Sequence, residues 1–400
     1  MACKALCFGL ICIIFAYYIY APMPENIEEP WKVGLIDAAI KTTSFVCMLT
    51  EYMGLIRKDQ VFATLVKVDY TSPVSDSNIT VTDTIFSGSP VRLYLPKRKS
   101  DSRRPAVIYI HGGAFVLGSF KLKCYDYLNR WTANTLDAVV VAVDYRLSPE
   151  YQFPVPLEDV ISAVKFFLQD EILAAYGVDP TRICISGDSS GGTLAATITH
   201  LVQNDAEFKN KFKAQALLYP VLQIVDLLLP SYQEHQHGPI LPRKMGIEMG
   251  SLYISKDKAL TQAMILNNHM PLESRHLLTL VNWSTLLPEN YKKNHLYTEP
   301  VLSSNSSYPQ LLNSSLSPLL ASDSQLQNVP LTYVLTCEHD ILRDDGLIYI
   351  TRLRNLGLKV SHDHIEDGVH GALSFTRFPF YLRMGMKVKE KYIRWLKENL

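Results

Sequence analysis

The chain has 400 residues, with 39 Lys+Arg balanced by 39 Asp+Glu, 48% hydrophobic and 20% charged. That length suits one large domain carrying an insertion, and that composition supports a packed core and excludes a disordered chain. With no basic excess to neutralise phosphates, nucleic acid is not expected as a partner.

The chain opens on ALCFGLICIIFAYYIYA, Ala5 to Ala21, 17 uncharged residues behind Lys4 and ahead of Pro22, Pro24, Glu25, Glu28 and Glu29. A core helix rarely opens a chain with no polar face. Two readings are left: a membrane anchor at the short end of the spanning range, or the apolar region of a cleaved signal peptide. Bulky Tyr18 and Ile19, with Pro22 just beyond Ala21, make a poor cleavage site and favour the anchor. The cation before and the anions after place the N-terminus in the cytosol and the body across the membrane. Sequons at Asn78, Asn282, Asn305 and Asn313 agree with a glycosylated body in that compartment. Cys3, Cys7 and Cys12 lie just before or within the apolar run, leaving Cys47, Cys124, Cys184 and Cys337, too few for a disulfide scaffold although one bridge is open.

A helical patch, Trp31 to Leu55, follows, and residues 22–75 are expected to form an N-terminal helical segment. Ile79 to Phe86 and Val91 to Leu95, joined by Ser87-Gly88-Ser89-Pro90, read as an antiparallel hairpin. Apolar runs then recur at Ala106 to Ile110, Ala138 to Val143, Arg182 to Ser186, Ala214 to Tyr219 and Leu331 to Thr336. They alternate with helical stretches at Tyr125 to Thr135, Leu157 to Tyr176, Gly192 to Gln203 and Gly346 to Leu356. This rhythm predicts an α/β fold, a mostly parallel central sheet with helices on both faces. Residues 220–329 interrupt it with helical patches and no clear strand. The expected layout is a core of 76–219 and 330–400 with a helical cap inserted at 220–329, both helical parts lying over the strand ends where such sheets bind ligands.

The sharpest motif is Gly187-Asp188-Ser189-Ser190-Gly191, between a buried strand and a helix. A serine on a strained strand-to-helix turn needs flanking glycines because a Cβ would strike the packed elements. His111-Gly112-Gly113 ends an earlier strand and can turn amides toward a developing oxyanion, worth about 3 to 4 kcal/mol per donor, with Ser190 as a further donor. Asp340 follows one later strand and His370 another, in the order Ser, Asp, His. His370 is the expected base for Ser189 and Asp340 its orienting acid, with Glu338, Asp344, Asp345 and Asp367 as rivals. Asp344 and Asp345 read more simply as the acidic first turn of a helix, and Glu158-Asp159 as a helix cap. His235, His237, His339, His362 and His364 are accompanied by no cysteine or carboxylate cluster at ligand spacing, so no metal is expected.

These residues, together with Asp144-Tyr-Arg-Leu-Ser-Pro-Glu150, Asp340-Ile-Leu-Arg-Asp-Asp-Gly346 and Asp367-Gly-Val-His370-Gly, resemble the arylacetamide deacetylase family of hormone-sensitive-lipase-type carboxylesterases. The likeness runs along essentially the whole chain. It implies an α/β-hydrolase fold and serine-dependent hydrolysis of esters or amides of apolar acyl or aryl groups, or of lipids, without a cofactor. It implies a single-pass endoplasmic reticulum membrane protein with a lumenal catalytic domain, secretion after leader cleavage being the alternative. By motif it assigns Ser189, Asp340 and His370 to the triad and Gly112, Gly113 and Ser190 to the oxyanion hole. Two departures stand out. Ala114 replaces a third glycine, and Val116 replaces a cysteine that in relatives pairs with the one matching Cys337, leaving Cys337 free or paired elsewhere, as with Cys124. A non-catalytic binding or adhesion domain on the same scaffold and a lipase are the competing functions.

Overall fold

The computed structural model describes residues 16 and 23–400, apart from 204, 305–307 and 379. The apolar run Ala5 to Ala21, Ala16 excepted, and Asn305 lie outside the described residues.

Eight strands form one sheet: β1 Ile79–Phe86, β2 Ser89–Pro96, β3 Arg104–Ile110, β4 Val139–Val143, β5 Val178–Asp188, β6 Ala214–Leu218, β7 Leu331–His339 and β8 Val360–Val369. Their order is β1-β2-β4-β3-β5-β6-β7-β8. β2 pairs antiparallel with both β1 and β4, and every later pairing is parallel, so β2 alone runs against the rest. The hairpin closes through Ser87 (φ 47°) and Gly88 (φ 92°), the two left-handed residues that match a tight turn to the strand twist.

Strand alternation sorts the core into two layers. Ile108, Val141, Ile185, Leu217 and Val334 face the first, with Leu157, Leu194 and Ile348 from helices Val155–Phe167, Ser190–Gln203 and Arg343–Asn355. Val107, Val140, Cys184, Ala216 and Leu335 face the second, under helices Lys123–Leu136 and Arg383–Asn399. The sequence reading missed this last helix, although Met384, Val388, Tyr392 and Leu396 recur at helical spacing. Its many lysines lie between them. The single helix expected from Leu157 to Tyr176 is two, because Gln169 is extended and Asp170 and Glu171 start a new acidic first turn at Asp170–Ala175.

Between β6 and β7 lie helices Pro230–Glu234, Arg243–Ile254 and Lys258–Ile265 and several short turns, with an isolated bridge between Pro271 and Ser303. Their Ile247, Tyr253 and Met264 join the first core layer. Helix α1, Pro30–Tyr52, is followed by α2, Lys58–Lys67, which the sequence reading also missed. α1 docks through buried Val33, Ile36, Asp37, Ser44 and Cys47. The Asp37 carboxylate accepts the Ile240 amide at 2.9 Å and pairs with Lys41 at 2.8 Å, tying α1 to the inter-strand segment.

Candidate active site

β3, β5, β7 and β8 all end at one edge of the sheet, and the sequence-expected residues sit just past those ends. Ser189 has φ 54°, a strained value for a residue with a Cβ. A Cβ on Gly187 would lie 2.3 Å from the Gly191 carbonyl oxygen, and one on Gly191 would lie 2.2 Å from that of Ile110. Only glycine fits at either position, which is the physical reason for the motif.

Ser189 Oγ is 2.9 Å from His370 Nε2, and His370 Nδ1 is 2.8 Å from Asp340 Oδ2. All three residues are buried. Asp340 is further held by the Leu342 amide at 2.8 Å on its other oxygen, and Tyr219 meets the His370 ring edge-on at 5.2 Å. The rival acids point elsewhere. Glu338 pairs with Arg343 and His364, Asp344 with Arg343, and Asp367 with Lys387. Asp345 accepts the Leu222 and Gln223 amides, and burial pushes its carboxyl up to about 7.

The loop after β3 departs from expectation at one residue. The Gly112 amide is engaged by Asp188 Oδ1 and Tyr125 OH, each at 3.0 Å, so it is not the free oxyanion donor expected. Glycine is needed there for close approach, since a Cβ would meet Asp188 O and Oδ2 at 2.7 Å. Gly113, Ala114 and Phe115 then follow with φ 123°, 55° and 63°, three left-handed residues in succession. The amides of Gly113 and Ala114 have no protein acceptor among the described residues. Ala114 is thus a candidate donor that the glycine pattern alone did not reveal. Phe115 fixes the loop, its amide on Ser190 Oγ at 3.3 Å and its ring stacked on Tyr253 at 3.8 Å. Asp188 takes hydroxyls from Tyr109 at 2.9 Å and Tyr125 at 3.1 Å. Its burial raises the carboxyl pKa, and these donors oppose the rise. His111 stacks on Tyr145 at 4.4 Å and lies 3.4 Å from Asp144, bracing the loop from below.

Ser189 and His370 open into a cavity of about 270 Å³. Its walls include Phe115, Leu117, Val221, Leu227, Ile247, Tyr253, Met264, Leu316 and Ile341, with Val66 contributed by α2. Such a predominantly apolar space accepts an apolar group.

The other candidates resolve as structure. His362 Nε2 and His364 Nδ1 both meet Thr336 Oγ1 at 2.8 Å, and no metal-holding group of His, Cys, Asp or Glu occurs among the described residues. Asp159 is no helix cap. It binds the Arg146 guanidinium and amide. Cys124 and Cys337 are both buried free thiols, so Cys337 does not pair with Cys124, and burial raises the Cys337 thiol pKa. Asn78 and Asn313 are exposed, whereas Asn282 is half-buried and caps the turn Trp283–Leu286.

Comparison with known proteins fits this geometry. The family model described as alpha/beta hydrolase fold matches residues 107–277 and 284–374. The chain is 60% identical to arylacetamide deacetylase-like 2 of Homo sapiens over the full length of both. It is 46% identical to arylacetamide deacetylase of Oryctolagus cuniculus, covering 99% of this chain and 100% of that one. Among solved structures, a thermostable carboxylesterase cloned from a metagenomic library aligns with TM-score 0.62 and 27% identity, over 87% of this chain and 97% of that one. The chain belongs to the α/β-hydrolase fold family. Within it, the chain is a member of the arylacetamide deacetylase family, and it is an enzyme of the carboxylic ester hydrolase class.

Proposed function

We propose that the chain hydrolyses esters or amides of apolar acyl or aryl groups by a two-step serine mechanism. His370 takes the Ser189 proton as Oγ attacks the carbonyl, and Asp340 holds the imidazole tautomer and steadies the imidazolium. The tetrahedral oxyanion rests on the amides of Gly113, Ala114 and Ser190, the last being the first residue of its helix and so without an intrahelical acceptor. His370 returns the proton to the leaving group, an acyl-enzyme remains on Ser189, and water attacks it with the same base. No cofactor enters the scheme. The observation that carries this reading is the unbroken contact from Asp340 through His370 to Ser189 at the floor of an apolar cavity. Residues 22–75 and 220–329 act as the cap over a core of 76–219 and 330–400. The apolar leader anchors the chain in the endoplasmic reticulum membrane with a glycosylated lumenal body, secretion after cleavage being the alternative. Ser189→Ala is expected to abolish hydrolysis of p-nitrophenyl esters while the fold persists. Retained turnover in the folded variant would overturn the assignment.

A further inference from the structure

α1 is 23 residues, about 34 Å, and the only described helix long and apolar enough to cross a membrane. It does not cross one here, because its inner face is packed on the body. Its outer face is the unusual one. Trp31, Leu35, Ala39, Thr42, Val46 and Leu49 fall at successive three- and four-residue steps, which sets them in one stripe. The stripe holds no charged residue, and its Trp31, Leu35, Val46 and Leu49 are 67%, 63%, 51% and 46% exposed. A water-facing helix surface is ordinarily polar, and an apolar one marks a partner or a lipid surface.

We infer that this stripe lies in the plane of a lipid bilayer, as a second membrane contact distinct from the leader. Three observations select lipid. The uncharged run ending at Ala21 stops nine residues before Pro30, so the segment a bilayer would hold is within about 35 Å of Trp31. Amphipathic aromatics mark both ends, Trp31 at one and Tyr52 at the other, and exposed Phe380 and Tyr381 extend the Trp31 end. The Lys32 ammonium sits 5.7 Å from the Trp31 ring and 5.8 Å from the Tyr381 ring and is paired with Glu29 Oε1 at 2.5 Å, so it places no unpaired cation in the exposed aromatic cluster at this end. The apolar exposure continues through Leu55 into α2, where Leu65 faces out and the neighbouring Val66 lines the cavity. An apolar ester dissolved in the bilayer would therefore meet the enzyme on the side where the cavity wall begins.

The test uses the full chain in vesicles of phosphatidylcholine brominated on its acyl chains. Emission assigned to Trp31, as the difference between wild type and Trp31→Phe, is expected to be quenched. A variant carrying Leu35→Glu, Val46→Glu and Leu49→Glu is expected to hydrolyse a long-chain ester embedded in phosphatidylcholine vesicles about tenfold more slowly, and a soluble short-chain ester within about twofold of wild type. The quenching arm does not depend on the proposed activity, so quenching in a chain that hydrolyses nothing would still support the surface. Unquenched Trp31 would overturn it. Dimers that dissociate in the triple variant would then identify a second copy as the occupant, and Trp31 shielded also from iodide would identify the leader. Vesicle-ester hydrolysis unchanged in the triple variant would also overturn it.

Discussion

The Gly112 amide donates to the Asp188 carboxylate at 3.0 Å, joining the loop after β3 to the residue before Ser189. Asp188 receives two tyrosine hydroxyls as well, so every group around it is a donor. Asp188→Asn would turn an amide NH₂ toward one of them and shift the following Gly113 and Ala114 amides. The expected result is a kcat lower by about 100-fold with KM little changed. If the residue served stability alone, kcat per fluorophosphonate-titrated site would stay at the wild-type value.

Asp340 and its rivals separate cleanly by substitution. Asp340→Asn is expected to lower kcat by about 1,000-fold or more, because the imidazole tautomer is no longer fixed. Asp367→Asn, on Lys387 in the structure, is expected to stay within a few fold. Steady-state kinetics on one short ester decides between them.

Glu338 makes a pH-dependent contribution to stability. The His364 hydrogen bond, opposed by desolvation and aided by Arg343, holds its carboxyl at about 2, below the ordinary 4.5. A depressed folded value means that the contribution is full above about 4.5 and is lost as pH falls toward 2. Glu338→Gln should therefore destabilise the protein at neutral pH by on the order of 2 kcal/mol, trimmed by partial exposure, and the gap to wild type should close in acid. Denaturant midpoints from pH 7 down to the acid limit test this. A gap that widens in acid would show the wrong sign.

Two glycines carry opposite expectations. Gly191→Ala places a methyl 2.2 Å from a backbone oxygen, so little folded protein is expected. Gly250 lines the cavity and has nothing within 4 Å of a built Cβ. Gly250→Leu should fold, keep activity on acetyl esters and lose activity on longer acyl chains, as read from kcat/KM across an acyl series. A uniform loss at all lengths would contradict the placement of Gly250 against the acyl chain.

Much of the site was legible in the sequence because its chemistry demands fixed residue types at strand ends. Gly187 and Gly191 announce the strained turn around Ser189, and His370 and Asp340 follow their strands in the order that brings them to one edge. The Gly112 amide was misread because a glycine pair shows where the backbone can approach closely and does not show which N–H is already taken. Tyr125, which shares that amide, lies on a different element. Ala114 went unrecognised as a donor for the complementary reason: its φ of 55° belongs to the loop, and alanine does not advertise it. The helix Arg383–Asn399 was hidden by abundant lysine, although its apolar period was present.

The most direct measurement is to react the intact, membrane-reconstituted enzyme with a fluorophosphonate and locate the adduct by mass spectrometry of its peptides. A single adduct on Ser189, absent from His370→Ala and from Ser189→Ala, is the expected result. An adduct on another residue, or full labelling without His370, would contradict the assignment of Ser189 as the nucleophile activated by His370.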